Sequence, residues 1–444
     1  MFPLTRPVRQ GLATLILVVF TVLPTVYVAY NAWRIHQPAH LRDVEAELGR
    51  QLGVHVTLEG VSYPRPAEVR YRGVVLRQEE PRRKGLTEVA RAHTVRLRRA
   101  DRELVVEAEG LRLRGESPKL ALAQVGALLQ RTGAIAYDRI TLSADVCDLE
   151  LGSDRLHVDL REVAGTFQAD SGTPTLVISY RLASKGSSTR CELTLTRDRK
   201  AEPVKTSIVL KTMEGLPLPA RVLDVFFDAA DWLGPEAKVE GELALRQEGA
   251  KDWEADFQGN LLDVDLSTLL GLRFPSHRLS GRARVTIPSA RWAERPGQGF
   301  GWVAAKGELT AGQGTIGLEL LNALAKEMKF RLSPRLTRLE QKRGDVAFQA
   351  LGLTFAIAAD GQIEFGGGLG DGFTPGAVLA GQTTPLVYAP QGAANVRGLI
   401  KTLVPVAAAN TGVMVPLTPE SRLLMSLPVP PDLASTAGRR IDGN

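Results

Sequence analysis

From Val54 to about residue 365 the side chains repeat at a period of two, and that pattern commits most of the chain to extended, sheet-forming backbone. In "VHVTLEG" Val54, Val56 and Leu58 point to one side while His55, Thr57 and Glu59 point to the other. The alternation recurs in "AEVRYRGVVLRQ", "HTVRLRRADRELVVEAEG", "RITLSADVCDLEL" and "TPTLVISYRLAS". It continues through "VKTSIVLKTM", "AKVEGELALRQEG" and "GDVAFQALGLTFAIAADGQIEF". Short alternating runs bounded by Gly, Pro and polar clusters are the signature of antiparallel strands, and on the order of 15 to 20 are expected here. Pro64 and Pro66 cannot sit inside a ladder and mark a turn between the first strands.

Helical spacing interrupts the strands only occasionally. Leu41, Val44, Leu48 and Leu52 share one helical face, and Gly53 is placed to end that helix. Further helical patterns lie at 118–131, at 219–234 (Val222, Val225, Phe226, Ala230) and at 318–330 (Leu320, Leu321, Leu324, Met328). They are too few and too widely spaced for regular βαβ units. The fold class that follows is mainly β: a long antiparallel strand meander with a few packing or capping helices, to which the resemblance given below adds an elongated curled sheet or groove. Aromatics at 6%, with 43 Gly and 26 Pro, suit such a turn-rich sheet.

One segment departs from this pattern. "QGLATLILVVFTVLPTVYVAYNAW", between Arg9 and Arg34, has no charged residue and is long enough to cross a ~30 Å hydrocarbon core as a helix. Pro24 predicts a kink, and Tyr27, Tyr30 and Trp33 gather at the C-terminal end as interface aromatics do. Signal-peptide cleavage wants small residues at both −3 and −1. Ala29 and Ala32 each follow a tyrosine two positions earlier, which favours an uncleaved anchor. Positive charge does not orient it: Arg6 and Arg9 stand on one side, Arg34, Arg42 and Arg50 on the other. The expected organisation is a short tail at 1–10, a transmembrane helix at 11–33, a β-rich region at 34–365 and a Gly/Pro-rich region at 366–444. That last part is read as loop-like, with a helix around "VRGLIKTLVPVAAAN" and a disordered end.

Chemistry is hard to find in these residues. The net charge of +6 lacks the dense one-signed face of a nucleic-acid binder, so no nucleic-acid partner is expected. His36, His40, His55, His93, His157 and His277 are scattered, with no zinc-ligand spacing; no metal, cofactor or catalytic residue is assigned and no enzymatic activity is expected. "GQGFG" (297–301) lacks the strand and helix of a phosphate loop and reads as a plain loop, and Asp265 in "DVD" reads as an N-cap. Cys147 and Cys191 belong to no CxxC motif and read equally as a disulfide or as two buried thiols. A basic cluster, "RRK" at 82–84 with Arg96, Arg98, Arg99 and Arg102, would attract an anionic leaflet. Glu79, Glu80, Glu88, Asp101 and Glu103 interleave with it, so solvated strand faces are the simpler account.

The anchor, the Leu41–Leu52 helix, Gly53, the Val54–Val61 strand and the Gly73–Leu76 strand together resemble the opening of the AsmA-like family of membrane-anchored envelope proteins. "KGELTAGQGTIGLELLNAL" (306–324) followed by "FQALGLTFAIAADGQIEF" (348–365) is similar to that family's strand, glycine, helix and strand pair. The resemblance covers about a third of the chain and departs beyond about residue 380. It implies a fold related to bridge-like lipid-transfer proteins, in which a twisted sheet curls into an apolar groove. It also implies a single-pass protein of the inner (cytoplasmic) membrane with a periplasmic soluble region. Its partners would be membrane lipids and envelope proteins, and its role lipid transfer in envelope lipid homeostasis or outer-membrane biogenesis. Strands ~4.8 Å apart would stack to roughly 70–95 Å. The groove candidates are Val54, Val56, Leu58, Val69, Tyr71, Val95 and Leu97 near the membrane, and Val239, Leu243 and Leu245 further along; packing in a closed β core is the plainer account of each. The alternative is an anchored scaffold that binds no lipid, such as the N component of a type II secretion system.

Overall fold

In the computed structural model the described residues are 11, 14–35, 37–79, 85–115, 137–151, 156–169, 172–182, 190–213, 215–225, 229–249, 253–271, 274, 277–295, 299–334, 336, 344–370, 372–382 and 384–403. Thr14–Arg34 is one helix, with mean hydropathy 1.9, long and apolar enough to cross a membrane. Its second half is α1 (Leu23–Ile35), preceded by a π turn at Val18–Val22. Pro24 has no N–H to donate, and the wider turn absorbs this locally. The Leu23 N–H bonds the Val18 carbonyl, and Thr25 Oγ1 donates to the Thr21 carbonyl at 2.7 Å. α2 (Pro38–Leu52) starts with a proline whose φ suits a first turn and ends at Gly53, where φ is 70° and the N–H reaches the Gly49 carbonyl.

The strands then begin at once. They are β1 (His55–Thr57), β2 (Gly60–Arg65), β3 (Glu68–Glu79), β4 (Leu86–Ala100), β5 (Glu103–Glu109) and β6 (Leu111–Gly115). β7 (Arg139–Leu151), β8 (Leu156–Gln168), β9 (Thr175–Leu182), β10 (Cys191–Asp198) and β11 (Lys205–Lys211) follow. After β12 (Leu218–Pro219) come a 3₁₀ turn at Ala220–Val225, α3 (Ala229–Leu233), β13 (Lys238–Glu248) and β14 (Glu254–Asp265). A π turn at Ser267–Gly271 leads to β15 (Leu279–Ser280), β16 (Arg282–Arg295), β17 (Gly299–Ala311), β18 (Gly314–Gly317) and α4 (Leu318–Met328). The described part closes with β19 (Arg331–Leu332), β20 (Asp345–Phe348), β21 (Ala350–Ile357), β22 (Gln362–Gly367), β23 (Ala377–Ala380), β24 (Pro385–Tyr388), β25 (Ala394–Asn395) and α5 (Val396–Leu403).

Twenty-two of these strands form one sheet, and β15, β18 and β20 form a second. Pairing follows the chain closely: β1 and β2 both lie on β3, β3 on β4, β4 on β5 and β6, and β7 on β8 through β11. The series continues through β13, β14, β16, β17 and β21 to β22 and β23. Fifteen or so steps of ~4.8 Å make the sheet roughly 70 Å long across its strands.

The sheet curls because its long strands are bulged at matching levels. Tyr71 and Val74 pack into one cluster although they are three apart, which strict alternation forbids. The same three-residue offset keeps Ala108 with Leu111, Ala144 with Cys147, Leu160 with Val163, Leu261 with Val264 and Ile287 with Ala290 in a single core. Gly73 (φ 58°), Gly110 (φ 62°), Glu162 (φ 49°) and Asp263 (φ 55°) sit within these offsets. Each bulge inserts one residue, bends its strand and keeps the apolar side facing one way.

Several expectations change. Bulges and breaks divide the chain into 25 strands among the described residues, more than the alternation predicts. Val54 precedes the first strand, and Pro64 lies within β2; an edge strand bonded only to β3 tolerates a residue without an N–H. The meander is not wholly antiparallel, because β7 runs parallel to β5 and β6. A parallel neighbour needs a crossover, and the chain between Gly115 and Arg139 makes it. The helix expected at 219–234 is the 3₁₀ turn followed by α3, and Gly299–Gly301 of "GQGFG" start a strand. The stretch after 366, expected to be loop-like, holds β23, β24 and β25, while α5 lies in the segment where a helix is expected. Asp265 caps the Ser267 turn as expected. Burial works against its charge, but donors from Ser267 and Thr268 hold its carboxyl below the usual range. The helix expected at 118–131, the basic run at 82–84 and the terminal 404–444 lie outside the described residues.

Candidate functional site: an apolar stripe across the sheet

Strand registers place one residue from each successive strand side by side. On the side where α2 packs, this produces an unbroken apolar ladder: Val69, Leu97, Val106, Leu142, Gly165, Ile178, Leu193 and Leu210. It continues through Leu243, Phe257, Ala290, Ala305, Ile357 and Ile363. Two residues along each strand runs a second ladder: Leu104, Ile140, Phe167, Leu176, Leu195, Ile208, Leu245, Ala255 and Trp292. The opposite face carries Arg96, Glu107, Ser143, Ala164, Ser179, Glu192, Lys211 and Glu242 in register. Ion pairs lace that face: Arg96–Glu107 at 3.0 Å and Lys211–Glu242 at 3.1 Å.

The stripe is covered unevenly. At the N-terminal end of the sheet, Val56, Leu58 and Tyr71 are buried beneath α2, whose Leu41, Val44 and Leu48 pack on them with Val54, Val69, Val95 and Leu97. The seven predicted residues of this end are therefore gathered as one cluster, and they form a small core under a helix. Val95 also touches the main core, so the apolar surface is continuous from one cluster to the other. Along the first ladder, Val69, Leu97, Val106, Leu142, Ile178, Leu193 and Leu210 are only half-buried. From Leu243 onward Phe257, Ala290 and Ala305 are buried, as are Val239 and Leu245. These three predicted residues lie in the main core, with Leu223, Trp232 and Leu233 of the 3₁₀ turn and α3 and with Leu320, Leu321 and Met328 of α4. The face is thus capped by a helix at one end and closed at the other; between them, from Val106 to Leu210, the first ladder is partly exposed over five strand steps, roughly 24 Å, while Phe167, Leu195 and Ile208 beside it are buried.

Sequence reasoning missed Val106, Leu142, Ile178, Leu193 and Leu210. Their signal was present as the inner positions of alternating runs, but their alignment depends on registers between strands. Cys147 and Cys191 also lie on this side, both free and both buried. Burial, with the neighbouring Asp148 charge, pushes the Cys147 thiol up to about 11; burial raises Cys191 as well, although the Met213 backbone opposes it.

Two polar features lie elsewhere. Asp148, Glu150 and His157 bring ligand atoms within 4.8 Å of one another. Their carboxylates already have partners, Arg112 on Asp148 at 3.1 Å and Arg114 on Glu150 at 2.7 Å, so the group reads as an ion-pair network. A shallow cleft lined by Asp263, Arg282, Arg284 and Thr310 is mostly polar. Comparison of the chain with family models, curated proteins and solved structures finds no match.

Proposed function

We propose that this is a membrane-anchored envelope protein that holds or transfers lipid along the half-open stripe, in the manner its resemblance to the AsmA-like family implies. The observation that supports the reading is the ladder from Val69 to Leu210, apolar at every rung and half-buried at every large residue. Acyl chains lying there would gain ~0.8 kcal/mol per buried methylene, and no bond need be made or broken. The Thr14–Arg34 helix would keep the capped end beside the bilayer, so lipid could enter without crossing water. An inner-membrane location and a periplasmic soluble region belong to the same proposal, as does a contribution to envelope lipid homeostasis or outer-membrane assembly.

The closed half and the free edge of β1 and β2 favour a second reading, a protein-binding scaffold that takes partners by strand addition. A photo-crosslinking residue at Leu193, on the stripe, and at Glu192, on the opposite face, separates the two. In native membranes the first reading expects lipid adducts by mass spectrometry from position 193 and not from 192. Protein adducts alone, or equal lipid labelling at both positions, would leave the scaffold.

A further inference from the structure

Among the basic residues of β4 and the turn after it, Arg99 differs from its neighbours in the face it occupies. Arg96 and Arg98 lie on the polar face and reach Glu107, and Arg102 pairs with Asp138 at 3.2 Å. Arg99 follows Leu97 by two on β4 and therefore shares the side of the apolar ladder, opposite Leu104. It is exposed, and among the described residues no carboxylate pairs with it. The Tyr71 phenol lies close enough to feel it: burial raises the Tyr71 pKa, neighbouring Tyr63 adds to the rise, and Arg99 pulls it back. Tyr63 OH in turn meets His40 Nε2 at 2.8 Å, with the rings 5.9 Å apart. His40 stands five residues beyond the end of α1, within ~18 Å of it along the chain.

We propose that Arg99 binds the anionic head group of a membrane phospholipid whose acyl chains lie on the rungs beside it, from Leu104 and Val106 onward. The assignment rests on the lipid-holding reading and adds a head-group preference to it. A guanidinium without a carboxylate, on the apolar side of the sheet, has unused capacity for phosphate oxygens. The adjoining apolar rungs supply the place for the chains, and the anchor supplies the source. A zwitterionic lipid carries its own cation and would gain less from the same site.

The test uses the full chain in vesicles of equal phosphatidylglycerol and phosphatidylcholine, with a photo-crosslinking residue at Leu104, the rung facing Arg99. The expected result is about a fivefold excess of phosphatidylglycerol adducts. Arg99→Gln should return the ratio to one while total lipid labelling stays within about twofold, and Arg102→Gln should leave the excess unchanged. A ratio of one in the parent protein, or an excess that survives Arg99→Gln, overturns the head-group site and leaves lipid holding intact. Absence of lipid adducts at Leu104 with either lipid overturns both.

Discussion

Leu193 and Leu195 lie two apart on β10 and point to the same side, yet they occupy opposite environments. Leu195 is 1% exposed and stands between Leu176 and Ile208; Leu193 is half-buried between Ile178 and Leu210. Leu195→Asp would forfeit ~2–3 kcal/mol of burial. It would also place a carboxyl with no partner in the core, which brings the total above ~5 kcal/mol. That is the lower bound of a whole domain's stability, ~5–15 kcal/mol, so this variant should unfold or fail to accumulate. Leu193→Asp would lose the greater part of a leucine's burial, ~1.5–2 kcal/mol, but water reaches the new carboxylate and no charge is sealed in the core. Its melting temperature should fall by about 3–8 °C. Lipid retention should suffer far more, about tenfold or beyond, since a charge now faces the acyl chains and each ~1.4 kcal/mol is a factor of ten. Circular dichroism melts of the purified full chain, followed by quantitative lipid extraction, read both effects. If Leu193→Asp unfolds the chain as Leu195→Asp does, the stripe is closed at β10 and the groove is wrong. If it folds and retains lipid at the parent level, the stripe is open but unused.

Two further predictions concern the same sheet. Gly241 (φ 134°) faces Gly259 across the β13–β14 pair, and a Cβ there would collide with the Gln258 carbonyl oxygen. Gly241→Ala should therefore destabilise by ~3 kcal/mol or more, whereas Gly60→Ala, with open space around it, should stay within ~1 kcal/mol; thermal melts of the two compare them. A Cys147 pKa of about 11 leaves only ~0.1% thiolate at pH 8, so iodoacetamide should leave the folded chain unmodified. The denatured chain should take two labels without reductant, and a denatured mass showing none would mean the cysteines are bridged.

What the sequence revealed divides along the reach of its signals. The cluster of Val56, Leu58 and Tyr71 under Leu41, Val44 and Leu48 was legible because helix period, Gly53 stop and strand period all lie within one short stretch. The stripe beyond it was legible only as style. Nothing local says that Leu142 stands beside Val106, since the pairing is parallel and spans the crossover between β6 and β7. The bulges hid more, because an apolar pair three apart, such as Ala144 and Cys147, looks like a fault in the alternation until the bend is known. Arg98 and Arg99 are indistinguishable as neighbours in a basic run. Their separation to opposite faces follows from strand parity, but the ion pair that occupies Arg98 comes from Glu107 on the next strand.

The uneven cover over the stripe is the strongest physical reason to look for a guest. The ladder from Val106 to Leu210 holds five large aliphatic residues, and each leaves up to about a third of its ~2 kcal/mol of burial unrealised, ~1–4 kcal/mol in all. That is a sizeable fraction of a domain's stability. Further along, the same sheet shows what full cover looks like, with the 3₁₀ turn, α3 and α4 packed into a core where Leu243, Phe257 and Ala290 are buried. Among the described residues, helical cover lies at the two ends of that stretch, α2 on one side and the 3₁₀ turn, α3 and α4 on the other, while Phe167, Leu195 and Ile208 between them are buried beside the partly exposed rungs. One-sided antiparallel sheets keep their apolar face from water, and under the lipid-holding proposal acyl chains would cover the partly exposed rungs that the described residues leave between α2 and the main core. A partly open stripe would let such chains leave as readily as they enter.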